Sequence, residues 1–346
     1  MSEKKHFPCW VGVDVSKDSF TAAFQVAGDE RTLYPAQDSF GLDRAGVRRL
    51  LKWMRGCAGA LPCGIAMETT GRCSERLAAL ILKEAPGQHV AVCNALAVSR
   101  YRSSYTCDKA DRHVDPKYIA KFACDRQPEA YTPMAKEAAE LRELVRARVA
   151  LVEACQRLRN RQGDLQTRLA RDASRQVVAV MERKIKKLDA AIRSLVEKEE
   201  EIRREVELMV TVPGVGIPSA ATIYAELGTL SGYSRRQLSA LSGICPSVRQ
   251  SGTSLRKGAM SRRGSRLLRR TLFLDSQQAI NKIPSVASLH ERLLRRPNST
   301  KMTAKCACMR KLLMIIRGVV VSGKPFDQGH VPENFTHFEK KGEKTA

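Results

Sequence analysis

Between Ala135 and about Met209 the chain offers few places to turn, apart from Gly163 and the polar stretch near Asp172. Leu141, Leu144, Arg148, Leu151, Cys155, Leu158, Gln162, Leu165 and Leu169 recur at three- and four-residue steps. Met181, Ile185, Leu188, Ile192, Leu195, Glu199, Ile202, Val206 and Met209 do the same. Residues at that spacing share one helix face, so both stretches predict helix, and heptad-like seams predict a coiled coil within the chain or between chains. Two such helices, roughly 50 Å each at about 1.5 Å per residue, make a natural arm for dimerisation. The Glu197–Glu201 run and the many arginines read as solvated faces. An arm in mid-chain divides the 346 residues into an N-terminal domain over 1–132, the arm over 133–209, a C-terminal domain over 210–330 and a polar tail over 331–346.

The N-terminal domain has strand-like runs. Trp10-Val11-Gly12-Val13-Asp14-Val15 is apolar but for one acid, and Ser19 to Val26 forms a second strand closed by Gly28-Asp29. A third short strand is expected near Arg31 to Tyr34, a helix from Leu42 to Met54, a strand Cys63 to Met67 ending on Glu68, a helix from Ser74 to Lys83 and a strand Val90 to Cys93. A meander followed by alternating strands and helices predicts a mixed sheet flanked by helices. A carboxylate in an apolar strand is costly unless it is paired or holds a cation. Asp14 and Glu68, on neighbouring strands, are therefore candidate magnesium ligands, since magnesium takes hard oxygen donors. A strand-end cap for Asp14 and an arginine partner for Glu68 are the plain alternatives. Downstream, Asp108, Asp111, His113 and Asp115 precede Pro116, which suits the start of a helix reaching about Ala123, with Asp115 as its N-cap. Asp111 then falls in the preceding loop, and His113 reads as a surface residue.

Charge sets the partner. Sixty Lys and Arg against 36 Asp and Glu give a net +24, and the commonest partner for such a surface is nucleic acid. Aromatic content of only 5% argues against base stacking as the main binding mode. Eleven cysteines without paired spacing read as reduced thiols of a cytosolic protein rather than zinc ligands. The start of the sequence has no signal-peptide pattern and no run is apolar enough to span a membrane, so a cytoplasmic, nucleoid-acting protein is expected.

In the last third, Val212-Pro213-Gly214-Val215-Gly216 joins two helices in the manner of a helix-hairpin-helix turn. Gly214 and Gly216 would let backbone N–H groups reach a DNA phosphate; a plain helix–helix turn is the alternative. From Arg249 to Phe273 there are eight Lys or Arg and no acid. Ser251-Gly252-Thr253-Ser254 opens that run, so Ser251 is either an ordinary turn serine or a nucleophile set in a phosphate-attracting field, with Thr253 and Ser254 as rival hydroxyls. Arg249, Lys257, Arg262, Arg263, Arg266 and Arg270 are the candidate phosphate contacts. A helix over Gly264 to Ser276 would set Arg263, Arg266 and Arg270 opposite Leu268 and Leu272. A further helix spans Lys305 to Val321, and the tail after His330 reads as disordered.

The carrying segments are Gly12-Val13-Asp14, Glu68-Thr69-Thr70-Gly71, Lys109-Ala110-Asp111 with Val114-Asp115, Pro213-Gly214-Val215-Gly216, Gly243-Ile244-Cys245-Pro246, Ser251-Gly252 and Ser322-Gly323-Lys324-Pro325-Phe326-Asp327. In order and spacing they resemble the DEDD-serine transposases of bacterial insertion sequences, the bridge-RNA-guided recombinases related to pilin-gene invertases. The resemblance implies an α/β plus α architecture: an RNase-H-like (RuvC-like) domain, a coiled-coil arm and a mostly helical transposase domain. It implies magnesium on Asp14, Glu68, Asp111 and Asp115, and Ser251 as nucleophile. It also implies a guide RNA, donor and target DNA, and a homo-oligomer built as a dimer of dimers. The family separates its last two acids by two residues, whereas three separate Asp111 from Asp115. The pair is therefore Asp111 with Asp115 or Asp108 with Asp111, and the anchoring of Asp115 by its helix favours the first.

Three functions compete at this stage: a recombinase using Ser251, a junction-resolving nuclease using the acids and water, and a non-enzymatic nucleic-acid scaffold. All three share one expected outcome. Binding to duplex DNA should weaken steeply with salt, log affinity falling by about 0.9 per phosphate contacted for each unit of log salt. A flat salt titration of a labelled duplex would contradict the charge argument.

Overall fold

The computed structural model describes residues 6–37, 39–69, 71–105, 114–247, 250–251, 254–255, 259–261, 263–297 and 299–329. The chain divides into two units, Met1–Met134 and Ala135–Ala346.

The first unit is built on strands whose apolar residues exceed what one face needs. β1 (Cys9–Val15) and β2 (Ser19–Val26) pair antiparallel, and two short strands, β3 (Thr32–Leu33) and β4 (Phe40–Gly41), each pair with β2. Helix α1 (Arg44–Ala58) follows, with Asp43 accepting a hydrogen bond from the Gly46 backbone N–H as its N-cap. Then come β5 (Cys63–Glu68), α2 (Arg72–Glu84), β6 (Val90–Cys93), α3 (Ala95–Ser103) and α4 (Val114–Arg126). The sheet order is β3-β2-β1-β5-β6, with β1, β5 and β6 mutually parallel.

Side chains alternate across a strand, so β1 serves two cores. Cys9, Val11, Val13 and Val15 join the layer beneath α1 and α2, while Trp10 packs with Ala66, Ala91, Val98, Ile119 and Ala123 beneath α3 and α4. Gly12 and Asp14 share the face of Trp10. A Cβ at Gly12 would stand 2.1 Å from the Pro116 carbonyl oxygen and 2.3 Å from the Ala120 nitrogen. Only a residue without a side chain lets the α4 backbone lie directly on β1.

The second unit is helical. α5 (Lys136–Gln162) and α6 (Arg168–Lys198) pack side by side, followed by α7 (Glu200–Val210), α8 (Ile217–Leu227) and α9 (Arg235–Leu241). Two small antiparallel ladders come next: β7 (Pro246–Ser247) with β10 (Ala259–Met260), and between them in sequence β8 (Gln250–Ser251) with β9 (Ser254–Leu255). α10 (Arg266–Lys282), α11 (Pro284–Leu294) and α12 (Lys301–Ser322) complete it. Leu141, Ile192, Val206, Met209, Leu268, Leu272, Leu312 and Ile316 share one apolar core.

Several expectations need correction. The second stripe is not one helix: Glu199, at φ −99° and ψ 106°, leaves helical geometry, ends α6 and opens α7. Glu200 and Glu201 then lie in the first turn of α7, where the helix dipole favours negative charge. Leu165 lies beyond α5, and Leu169, in the first turn of α6, is 82% exposed; neither seam extends to the tip of the helix pair. The polar Arg148 in the first seam has a partner, an ion pair with Asp189 of α6. Ser251 is in a strand rather than a turn, and α11 had no counterpart in the sequence reading. The tail after 329 lies outside the described residues.

The close approach at Gly12 yields a direct expectation. Gly12→Ala should destabilise the N-terminal unit by about 2 kcal/mol or more, the cost of overpacking against backbone that cannot rotate away. Thermal melting by circular dichroism should show a fall of roughly 4 °C or more.

Candidate active site

Asp14 is the second-last residue of β1 and Glu68 the last of β5. The parallel register pairs Gly12 with Ala66 and Val13 with Met67, so the two acids fall at neighbouring positions at the carboxyl ends of adjacent strands, on the α4 side. The crevice beyond such strand ends is where parallel sheets bind ligands. Asp115 arrives from a third element. It is not the N-cap expected from the sequence: α4 begins at Val114, which places Asp115 in its first turn. The guanidinium of Arg102 donates to the Asp115 carboxylate, linking α3 to α4.

The three carboxylates feel one another. Burial raises the Asp14 carboxyl above its ordinary range, the charge of Asp115 adds to this, and the Val15 backbone N–H opposes it. Burial also raises Glu68, with added repulsion from Asp14 and Asp115 and partial relief from Arg102. Half-buried, mutually repelling carboxylates gain most from a cation, and their hard oxygens suit a divalent ion such as magnesium. Among the described residues no three such side chains are gathered tightly enough to hold a metal alone. Asp108, Asp111 and His113 lie outside the described residues. The donor set present therefore fits a divalent cation chemically but is not a complete cage. Arg102, which the sequence reading did not single out, is the residue that balances the acids.

The other candidate residues belong to the second unit. The backbone of Ser251 pairs with Ser254 across the β8–β9 ladder. Gly252, Thr253, Arg249, Lys257 and Arg262 lie outside the described residues. Arg263 precedes α10 and is exposed, as is Arg266 on its first turn, whereas Leu268 and Leu272 are fully buried. Arg270 is not a free cation, because it forms an ion pair with Glu153 of α5. Arg269 is likewise committed, donating to the Gly264 carbonyl at 3.0 Å and the Ser242 carbonyl at 3.5 Å.

The Pro-Gly turn behaves differently at its two glycines. Gly214 has φ +95°, and a Cβ there would meet the Gln278 Cβ at 2.9 Å and the Ala279 nitrogen at 3.2 Å. This glycine is needed for packing on α10, which is the plain helix–helix reading. Gly216, the N-cap of α8, faces open space apart from Pro218 at 3.7 Å. Beside this turn Asp275 of α10 is buried; one carboxyl oxygen accepts from the Ser219 hydroxyl at 2.8 Å and the other has no hydrogen-bond partner. Burial pushes its carboxyl up to about 7, against the lowering effect of Ser219.

A strand-end acidic cluster beneath a helix, in a chain with a strongly basic charge balance, invites comparison with proteins that process DNA. A family model described as transposase matches residues 11–169, and one described as transposase IS116/IS110/IS902 family matches residues 206–291. The pilin gene-inverting proteins of Moraxella bovis and Moraxella lacunata are each 23% identical over 323 residues, covering 92% of this chain and 98% of theirs. The insertion element IS110 uncharacterized 43.6 kDa protein of Streptomyces coelicolor is 28% identical over 86 residues, 25% of this chain and 21% of its own. The chain is an enzyme of the DNA transposase and recombinase class. It belongs to the IS110-type transposase family, whose DEDD class points to a divalent metal ion and whose members act on DNA. No helix among the described residues is long and apolar enough to cross a membrane.

Asp275 supplies a pH expectation. An unfolded aspartate titrates near about 3.9, so the folded value is raised. Its favourable contribution is complete below about pH 4 and is lost as pH rises toward about 7, on the order of 3–4 kcal/mol in total. Asp275→Asn should remove this slope, leaving a variant more stable than the parent at pH 8 but not at pH 4. Urea melts at the two pH values measure it.

Proposed function

We propose that this chain is an insertion-sequence transposase acting as a site-specific recombinase, which cuts and rejoins DNA through a transient phosphoserine link at Ser251. The observation that carries the reading is the meeting of Asp14, Glu68 and Asp115 at one crevice of the sheet. The first matched segment, 11–169, contains these acids together with Asp108 and Asp111, and the second, 206–291, contains Ser251. The sheet order β3-β2-β1-β5-β6, an antiparallel meander joined to parallel strands, supports an RNase-H-like (RuvC-like) domain over 1–132. The α5–α6 pair supports a coiled-coil arm over 133–209. The α7–α8 turn, with Gly216 open, supports a helix-hairpin-helix-like approach to a phosphate at the start of a serine-bearing domain over 210–330.

In this reading Asp14, Glu68, Asp115 and Asp111 hold magnesium, whose contribution is to stabilise negative charge on the reacting phosphate oxygens. Arg102 would balance part of the acidic charge through its pair with Asp115. The Ser251 hydroxyl oxygen bonds to phosphorus and gives its proton to solvent. The bond from phosphorus to a sugar oxygen breaks, and that oxygen takes up a proton. One phosphoester replaces another, so rejoining needs no ATP; the sequence contains no GxxxxGK[ST] loop. Arg263 and Arg266 remain available to the DNA backbone, with Arg249, Lys257 and Arg262 from the same basic run. A guide RNA selecting donor and target DNA, and an oligomer that combines the acids of one protomer with the serine of another, complete the proposal.

Two variants separate this from a water-using nuclease. Ser251→Ala should abolish both the covalent protein–DNA adduct and strand joining, seen as loss of a slow-migrating labelled band. Asp14→Ala should reduce cutting by about a hundredfold or more. Cutting that persists in Ser251→Ala without an adduct would favour the nuclease.

A further inference from the structure

Tyr101 on α3, Tyr105 in the turn after it, and Tyr118 and Phe122 on α4 form a continuous run of rings. Their centroids lie 5.0 Å apart for Tyr101 and Tyr105, 6.0 Å for Tyr105 and Tyr118, and 5.5 Å for Tyr101 and Phe122. An apolar cluster whose only task is to join two helices is expected to bury its rings, and Tyr118 and Phe122 are buried or half-buried. Tyr105 is not: at 54% exposed it is the most exposed aromatic residue among those described. It is nevertheless held in place. The Tyr101 hydroxyl donates to Asp125, and the two tyrosine hydroxyls lie 3.2 Å apart. The ammonium of Lys121 sits over one face of the Tyr105 ring, 5.8 Å from its centre.

Its position ties this surface to the acids. Asp115 and Tyr118 are three residues apart on α4, which puts them on neighbouring turns of one face. Arg102, which holds Asp115, lies three residues before Tyr105. An anchored, exposed ring with a cation over one face suits a nucleobase on its exposed side and that base's phosphate near the ammonium, and stacking of this kind tolerates any base. We propose that Tyr105, backed by Tyr101 and Tyr118 and flanked by Lys121, is a stacking platform for an unpaired DNA base next to the carboxylate crevice. The assignment deepens the recombinase reading, since it requires the strand beside the cut to be unpaired there.

The test uses the full chain in chelator, so that no cutting occurs and binding alone is read. The probes are a short single strand carrying one 2-aminopurine and the perfect duplex of the same sequence. Tyr105→Ala should weaken single-strand binding about tenfold and remove the quenching of 2-aminopurine, with duplex binding unchanged. Tyr105→Trp should retain both, and Tyr105→Leu, which keeps apolar bulk without a π face, should behave as the alanine variant. Wild-type binding and quenching in Tyr105→Ala, or retention of both in Tyr105→Leu, would overturn the platform. A melt matching the parent for Tyr105→Leu excludes unfolding as the cause of its loss; an unfolded Tyr105→Leu would overturn the platform in favour of a packing role. These readouts do not involve Ser251 or the acids, so cutting that survives Asp14→Ala would sink the recombinase reading and leave this one standing.

Discussion

The contact between β1 and α4 governs the N-terminal unit. It exists because position 12 has no side chain, and any Cβ there would collide with backbone atoms of Pro116 and Ala120. That approach does two things at once. It closes the second core around Trp10, Ile119 and Ala123, and it delivers Asp115 to the strand ends that carry Asp14 and Glu68. A packing requirement and an electrostatic liability thus share one cause. At this partly desolvated crevice burial and neighbouring acid charge raise the proton affinity of Asp14 and Glu68, and a single guanidinium, Arg102, pairs with Asp115 and partly offsets the effect on Glu68. Pairing of that kind lets the fold carry three carboxylates at one partly buried crevice.

The helical unit handles polar groups inside its packing in a similar way. Arg148 interrupts an apolar stripe yet meets Asp189 across the α5–α6 pair, and Arg270 meets Glu153. Asp275 is the exception, with one oxygen bonded to Ser219 and the other unsatisfied beneath the Pro-Gly turn. Ion pairs also thin the supply of free cations on the basic face. Arg263 and Arg266 stay exposed while Arg269 and Arg270 are used to fasten the unit's own elements. Charge counted along a sequence therefore overstates the charge a polyanion would meet.

Much of this was legible beforehand and some was not, for identifiable reasons. β1, β2, β5 and β6 were readable from apolar runs of strand length, α8 from the Pro-Gly turn before it, and α12 from its apolar residues. The break at Glu199 was missed because the apolar stripe continues across it and glutamate is a good helix former. The position of Asp115 was misread because Pro116 suits the first helical position, yet the helix begins two residues before Pro116, at Val114. Arg102 gave no signal at all, since its importance comes from a partner thirteen residues on, across an intervening stretch. Gly12 read as one glycine in a strand; its meaning is the helix above it.

The sequence by itself determined the local periods, the excess of positive charge and the set of chemical groups, among them two acids at strand ends and a serine in a basic run. It carried enough ordered motifs to mark a transposase. Only the tertiary structure decided which acids meet, which arginines are spent on internal pairs, and which glycine supports packing rather than a phosphate. The physical reason is the range of the forces involved. Periodicity is a property of neighbours three or four residues apart, whereas repulsion between carboxylates and the closeness of two backbones depend on sheet register and helix seating, which residues distant along the chain set together.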